Sequence, residues 1–174
     1  SALAEAFAIA EGGRPGPVLV DLPKDVQQAT CEPAPMRRIS SDLLPAPSHE
    51  AIADAERLIA AANRPLFYLG GGIARANASE MVRRIVDESG IPAVATLQGL
   101  GVLPPEHPAI LGMIGMHGHR PANMAVQECD LLIVLGARFD DRATGKLAEF
   151  APHASVVHID VDAAELGKLR FAHA

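Results

Sequence analysis

The chain has 174 residues, enough for one ordinary α/β domain with a packed core. Apolar residues make up 49% of it and aromatic residues 3%, which excludes a disordered chain and requires a core of Ala, Val, Ile and Leu. A formal charge of -6 argues against nucleic acid or an anionic membrane as partner, and no apolar run is long enough to span a bilayer.

In chain order, residues 1–11 place Leu3, Phe7 and Ala10 on one helical face, and Gly12-Gly13 ends that helix. Pro17 to Leu22 reads as a short buried strand, broken by Pro23-Lys24-Asp25. The chain starts inside the helix, and neither element has a further partner nearby. Residues 1–28 are therefore expected to be the tail of a truncated preceding domain, poorly ordered or packed on another copy. Cys31 and Cys129 lie far apart, form no metal or redox spacing, and read as inert thiols of a reduced, cytoplasmic protein. Pro33, Pro35, Pro45 and Pro47, with Ser and Thr between them, give residues 29–47 a linker composition.

From residue 48 the pattern is regular. Ser48 caps a helix with Ile52, Leu58 and Ile59 on its buried side, and Pro65 to Leu69 is a strand running into Gly70-Gly71-Gly72. Asn77 and Glu80 have capping-box spacing before a helix that buries Met81, Val82, Ile85 and Val86 and closes at Gly90. Further strands are expected at 92–96, 131–135 and 155–159, with a short helix at 121–128 and another at 163–168. Continuous apolar strands alternating with helices predict an α/β, Rossmann-like open parallel sheet with helices on both faces.

In such a sheet ligands bind at the carboxyl ends of the strands. Those ends carry Gly70 to Gly72, Thr96 to Gly99, Gly136 to Asp140, and Asp160 to Asp162. Adjacent glycines permit close backbone approach, Arg138 offers a fork for a pyrophosphate, and Asp160 offers an acceptor for ribose or an adenine amine. Each feature has a plainer reading. Arg75 stands where a dinucleotide fingerprint would have its last glycine, so the glycine run also reads as a strand-to-helix turn. Arg138, Asp140, Asp141 and Arg142 also read as a solvated ion-pair loop, and Asp160 and Asp162 as caps of the next helix. His117 and His119 lack a third ligand, so no metal site is expected. Nucleophile and base are nowhere paired, so no catalytic residue is assigned.

Taken together, several segments resemble a known family. Gly13 to Asp25 is similar to the end of the pyrimidine-binding domain of thiamine-diphosphate enzymes. Gly112 to Gly118, Gly136 to Leu147 and His158 to Lys168 resemble the acetolactate (acetohydroxyacid) synthase catalytic subunit, with Ala143 where Val is usual. The resemblance implies that residues 48–174 are the central, FAD-binding domain of that three-domain enzyme, cut before its last strand. Arg14, Gly71, Thr96, Leu97, Gln98, Gly99, Ile114, Gly115, Met116 and His117 would then line an extended FAD. So would Gly136, Ala137, Arg138, Phe139, Asp140, Asp160 and Val161. Lys24, Asp141 and Arg142 would lie near the mouth of the substrate channel, where herbicidal inhibitors bind.

The family condenses two pyruvates, or pyruvate with 2-oxobutyrate, with loss of CO2, in branched-chain amino-acid biosynthesis. Thiamine diphosphate is the electron sink, and its sites and that of Mg2+ lie outside this stretch. The resemblance further implies a homodimer or tetramer, an optional small regulatory subunit, and no activity of this stretch alone. Two alternatives stay open: another FAD-using member of the superfamily, of glyoxylate carboligase or pyruvate oxidase type, and a central domain that serves as a non-binding spacer.

Overall fold

The computed structural model describes residues 2–32 and 46–174. It divides into two compact units, Ser1–Ala46 and Pro47–Ala174. The linker prolines Pro33, Pro35 and Pro45 fall outside the described residues.

The first unit holds helices α1 (Ala2–Glu11) and α2 (Lys24–Gln28), neither with a buried side chain. The strand expected at 17–22 is absent: residues 15–23 form no regular element, and Leu19 is fully exposed. A strand needs a neighbour to take its backbone hydrogen bonds, and the described part of this unit contains none.

The second unit begins with α3 (His49–Ala61), where the Ser48 side chain accepts a hydrogen bond from the Ala51 N–H at 3.1 Å. Next come β1 (Pro65–Leu69), α4 (Gly71–Arg75), α5 (Ser79–Ser89), β2 (Ala93–Ala95) and β3 (Ile110–Met113). α6 (Arg120–Glu128), β4 (Leu131–Leu135), α7 (Asp141–Thr144) and β5 (Ser155–Ile159) complete it. The five strands form one sheet in the order β3-β2-β1-β4-β5, and every pairing is parallel. The order reverses between β1 and β4. Alternation along the strands divides the core in two. Leu66, Tyr68, Val94, Leu132, Val134 and Val156 pack with α6 on one face. Phe67, Leu69, Ala93, Ala95, Leu131, Ile133 and Val157 pack with α4 and α5 on the other.

Several expected details differ. α3 turns Ala55, Leu58 and Ala62 to the core, while Ile52 and Ile59 are exposed. α5 presents Ala78, Val82 and Val86 at i, i+4 and i+8, which leaves Met81 and Ile85 outside. Asn77 does not cap α5. It takes φ of 53° in the turn that leaves α4, its N–H bonded to Ala74, and Ala78 precedes the helix without a side-chain cap. Gly90 ends α5 in the left-handed conformation, its N–H on the Val86 carbonyl. The helix expected over 163–168 is a set of turns closed by i to i+3 bonds such as Glu165 N–H to Asp162, and Gly167 at φ of 70° stops propagation. The edge strand β3 has no counterpart in the sequence reading. It is short, half-buried and interrupted by Gly112 at φ of 110°.

At the amino edge of the sheet, Asp130 ties the start of β4 to the turn between α3 and β1. Its carboxylate accepts the backbone N–H of Asn63 at 2.8 Å and of Arg64 at 2.9 Å. Burial opposes the charge, but the N–H groups of Asn63 and Arg64 outweigh it and hold the carboxyl below its ordinary value. Asp130→Ala is expected to cost about 1 kcal/mol in denaturant unfolding, a charge-assisted pair discounted for solvent. Because the folded-state value is the depressed one, this stability is fully present above the unfolded carboxyl's range and is lost as pH falls through the folded value. The gap between wild type and variant should therefore narrow below about pH 4, and a gap that stays constant down to strong acid would contradict the assignment.

Candidate functional site at the carboxyl edge

All five strands point their carboxyl ends the same way, so Gly70, Thr96, Ile114, Gly136 and Asp160 stand along one edge. The order reversal places its crevice between β1 and β4, where the first and third of four crossovers diverge to opposite faces. Here the backbones are pressed together. A Cβ on Gly70 would overlap the Gly136 carbonyl and come within 2.5 Å of Ala137 Cα. One on Gly72 would lie 2.7 Å from Gly136 Cα, and one on Gly136 would lie 2.8 Å from Gly72 Cα. Gly70 N–H donates to Leu135 and Gly72 N–H to Gly136, both at 2.9 Å. Gly71 is held by the neighbouring turn, since its Cβ would lie 2.8 Å from that of Gln98.

The other predicted residues take distinct positions on this edge. Thr96 caps the 3-10 turn Leu97–Gly99 by accepting the Gly99 N–H at 3.1 Å, with Leu97 and Gln98 exposed above it. Ile114, Ala137 and Phe139 have buried side chains, so only their backbone reaches the edge. Phe139 stacks on Tyr68 with ring centroids 6.1 Å apart. Met116 and His117 are exposed on the loop after β3. Arg138 projects outward half-exposed, with a long 3.8 Å contact to Asp140 that is weak in water. Asp140 is committed to local structure: its carboxylate accepts the Arg142 N–H at 3.0 Å and caps α7. Asp160 similarly accepts the Asp162 N–H at 2.9 Å, and Asp162 accepts from Ala164 at 3.0 Å. Val161 is exposed beside it. Arg14 and Lys24 belong to the first unit, where both are exposed.

Asp141 and Arg142 meet Gly115 and Met116 in a cleft of about 400 Å³, floored by Val126 and Phe150 and also lined by Asn123, Met124 and Thr144. That volume suits a small organic ligand. Asn123 was not evident from the sequence, yet it fixes the cleft wall. Its amide donates to the Gly115 carbonyl at 3.1 Å, and its oxygen accepts the Gly115 N–H at 2.9 Å. Gly115 is confined from the other side as well, since a Cβ there would overlap the Arg142 carbonyl. Tyr68 and His158 were also missed. The Tyr68 hydroxyl donates to the Arg138 carbonyl at 3.4 Å, and burial together with the charge of Asp140 pushes its pKa far above the ordinary tyrosine range, so the donor keeps its proton. Among the described residues no three His, Cys, Asp or Glu side chains converge on a metal position, and no helix is long and apolar enough to cross a membrane.

The fold and this edge define a doubly wound, Rossmann-like α/β domain with its crevice at the switch point. The family model for the central domain of thiamine pyrophosphate enzymes matches residues 52–174, and the chain belongs to that family. Over 98% of its length it is 51% identical to the large subunit of acetolactate synthase isozyme 2 from Escherichia coli (strain K12), covering 31% of that protein. It is 50% identical to an acetolactate synthase of Mycobacterium bovis over 98% of its length, and 47% identical to acetolactate synthase 1, chloroplastic, of Zea mays over 97%. It covers 28% and 27% of those two proteins, so the chain spans roughly a third of the length of these relatives.

The glycine seam makes a direct test possible. Gly70→Ala forces β1 and β4 apart and should cost about 1–3 kcal/mol in denaturant unfolding, as overpacking does. Gly16→Ala, with nothing within 4 Å of the added methyl, is the control and should stay within about 1 kcal/mol of wild type. Equal midpoints for the two variants would contradict the seam.

Proposed function

We propose that the chain is the FAD-binding portion of an acetolactate synthase catalytic subunit. The observation that carries the reading is the half-exposed Arg138 guanidinium on the turn after β4, beside the switch-point crevice, with no partner closer than the 3.8 Å Asp140 carboxylate among the described residues. The donor chemistry fits a dinucleotide. A fork of N–H groups matches two phosphate oxygens, the tight Gly70–Gly136 seam lets a diphosphate lie close to the backbone, and the carboxyl-edge turns provide a long, shallow track. The identity of about half the residues with three acetolactate synthases supports the choice of this enzyme over other flavin-using relatives.

In this reading Thr96 to Gly99, Ile114 to His117, Gly136 to Asp140, Asp160, Val161, Gly71 and Arg14 line the flavin nucleotide. The buried members contribute backbone only. Asp140 serves by shaping the turn, since its carboxylate is already capping α7. Asp141 and Arg142 form one wall of the cleft at Met116, which this reading makes the mouth of the substrate channel; Lys24 is assigned to that mouth by the family resemblance alone. Arg142 is the candidate there for holding the carboxylate of a 2-oxoacid. Thiamine diphosphate with Mg2+, when bound in the whole enzyme, supplies the electron sink for joining pyruvate to pyruvate or 2-oxobutyrate with loss of CO2. Assembly as a homodimer or tetramer, an accompanying small regulatory subunit, and a cytoplasmic location complete the proposal.

Arg138→Ala should raise the FAD concentration needed for half-saturation about tenfold to a hundredfold, the loss of one charge-assisted pair worth about 1.5–3 kcal/mol. Arg138→Lys should recover only part of this, because an ammonium cannot fork. The measurement is flavin binding after the cofactor is stripped, with the melting temperature followed in parallel. Unchanged half-saturation in the Ala variant, at an unchanged melting temperature, would show that Arg138 is only a surface charge.

A further inference from the structure

β4 is flanked, on the face that carries α6, by one buried polar side chain from each neighbouring strand: Tyr68 from β1 and His158 from β5. Both reach the turn after β4, and they take successive carbonyls. Tyr68 is on Arg138 at 3.4 Å, a long and weak bond, whereas His158 Nε2 lies 3.0 Å from the Ala137 oxygen. A carbonyl only accepts, so Nε2 carries a hydrogen and is the donor. Nδ1 is buried and has no hydrogen-bond partner among the described residues. A core position that served packing alone would be better filled by an apolar side chain, which strands no polar atom. The imidazole packs edge-to-face with Phe139, ring centroids 5.5 Å apart. Beside it, Gly136 N–H donates to the Ile159 carbonyl at 2.8 Å, so β5 grips the turn at two consecutive residues immediately before Arg138.

We propose that His158 is a positioning residue for the flavin diphosphate, acting through the Ala137 carbonyl to fix the turn from which Arg138 projects, without touching the ligand itself. The inference rests on the flavin reading of this edge. It gives a buried residue, outside the lining set, a share in the binding proposed for Arg138. Tyr68 is the weaker second tether on the same turn.

The test is a titration of the stripped full-length protein with FAD, followed by flavin fluorescence, alongside a thermal melt of each variant. His158→Leu removes the donor and should raise half-saturation about three- to tenfold, the value of one buried hydrogen bond. His158→Gln places an amide N–H near the Nε2 position and should stay within about twofold of wild type. His158→Asn, too short to reach Ala137, should behave like Leu, so the Gln and Asn pair carries the test if the Leu variant does not fold. Asp130→Asn, at the opposite edge, should lower the melting temperature without moving half-saturation, which separates positioning from general destabilisation. If Arg138→Ala weakens FAD while His158→Leu and His158→Asn do not, the inference is overturned and the flavin reading stands. If the unsubstituted protein binds no FAD, the reading falls and the inference with it.

Discussion

Between β1 and β4 the chain leaves no room for a methyl group. Gly70 and Gly72 on one side and Gly136 on the other lie backbone against backbone, and each would drive a Cβ into the other's main chain. This contact sits where the strand order reverses, so it sets how closely the two halves of the sheet approach and how the turns above them are aimed. The parallel register from Pro65↔Leu131 to Leu69↔Leu135 leads straight into it. The glycine run therefore does double duty. It joins a strand to a short helix, and it brings the Gly136–Asp140 turn against the switch-point crevice.

The two edges of the sheet are built differently. At the amino edge, Asp130 binds two backbone N–H groups, and Arg170 reaches the Ala151 carbonyl at 2.5 Å, fastening a turn where Ala151 adopts φ of 45°. At the carboxyl edge Asp140 caps α7 and Asp160 holds its own turn. Arg138 beside the crevice, and Asp141 and Arg142 at the cleft, are exposed charges there.

Much of this was legible from the residues. Continuous apolar runs at 65–69, 131–135 and 155–159 define strands buried on both faces, and the turns that follow them define the edge. The family is legible in Gly136 to Leu147, a stretch carrying too many unusual neighbours for chance. Elements failed to appear where tertiary context decides. β3 is an edge strand whose apolar signal is broken by Gly112, and its place is set by pairing with β2 rather than by its own composition. Residues 17–22 have strand composition but no strand neighbour among the described residues of their unit. Asn77 has capping spacing, yet the left-handed turn out of α4 claims it. Tyr68, Asn123 and His158 looked like ordinary core or surface residues because their partners are carbonyls and amides distant in sequence, and no side-chain motif records those contacts.

The central claim is that the carboxyl edge around the β1–β4 seam holds the flavin nucleotide. Backbone hydrogen–deuterium exchange of the full-length protein with and without FAD tests it residue by residue. The account predicts added protection in the segments 70–72, 96–99, 114–117, 136–140 and 160–161, with the amino-edge segments 62–65, 129–131 and 151–154 unchanged. Protection centred on the amino edge, or none at the carboxyl edge at a FAD concentration that saturates binding, would contradict it.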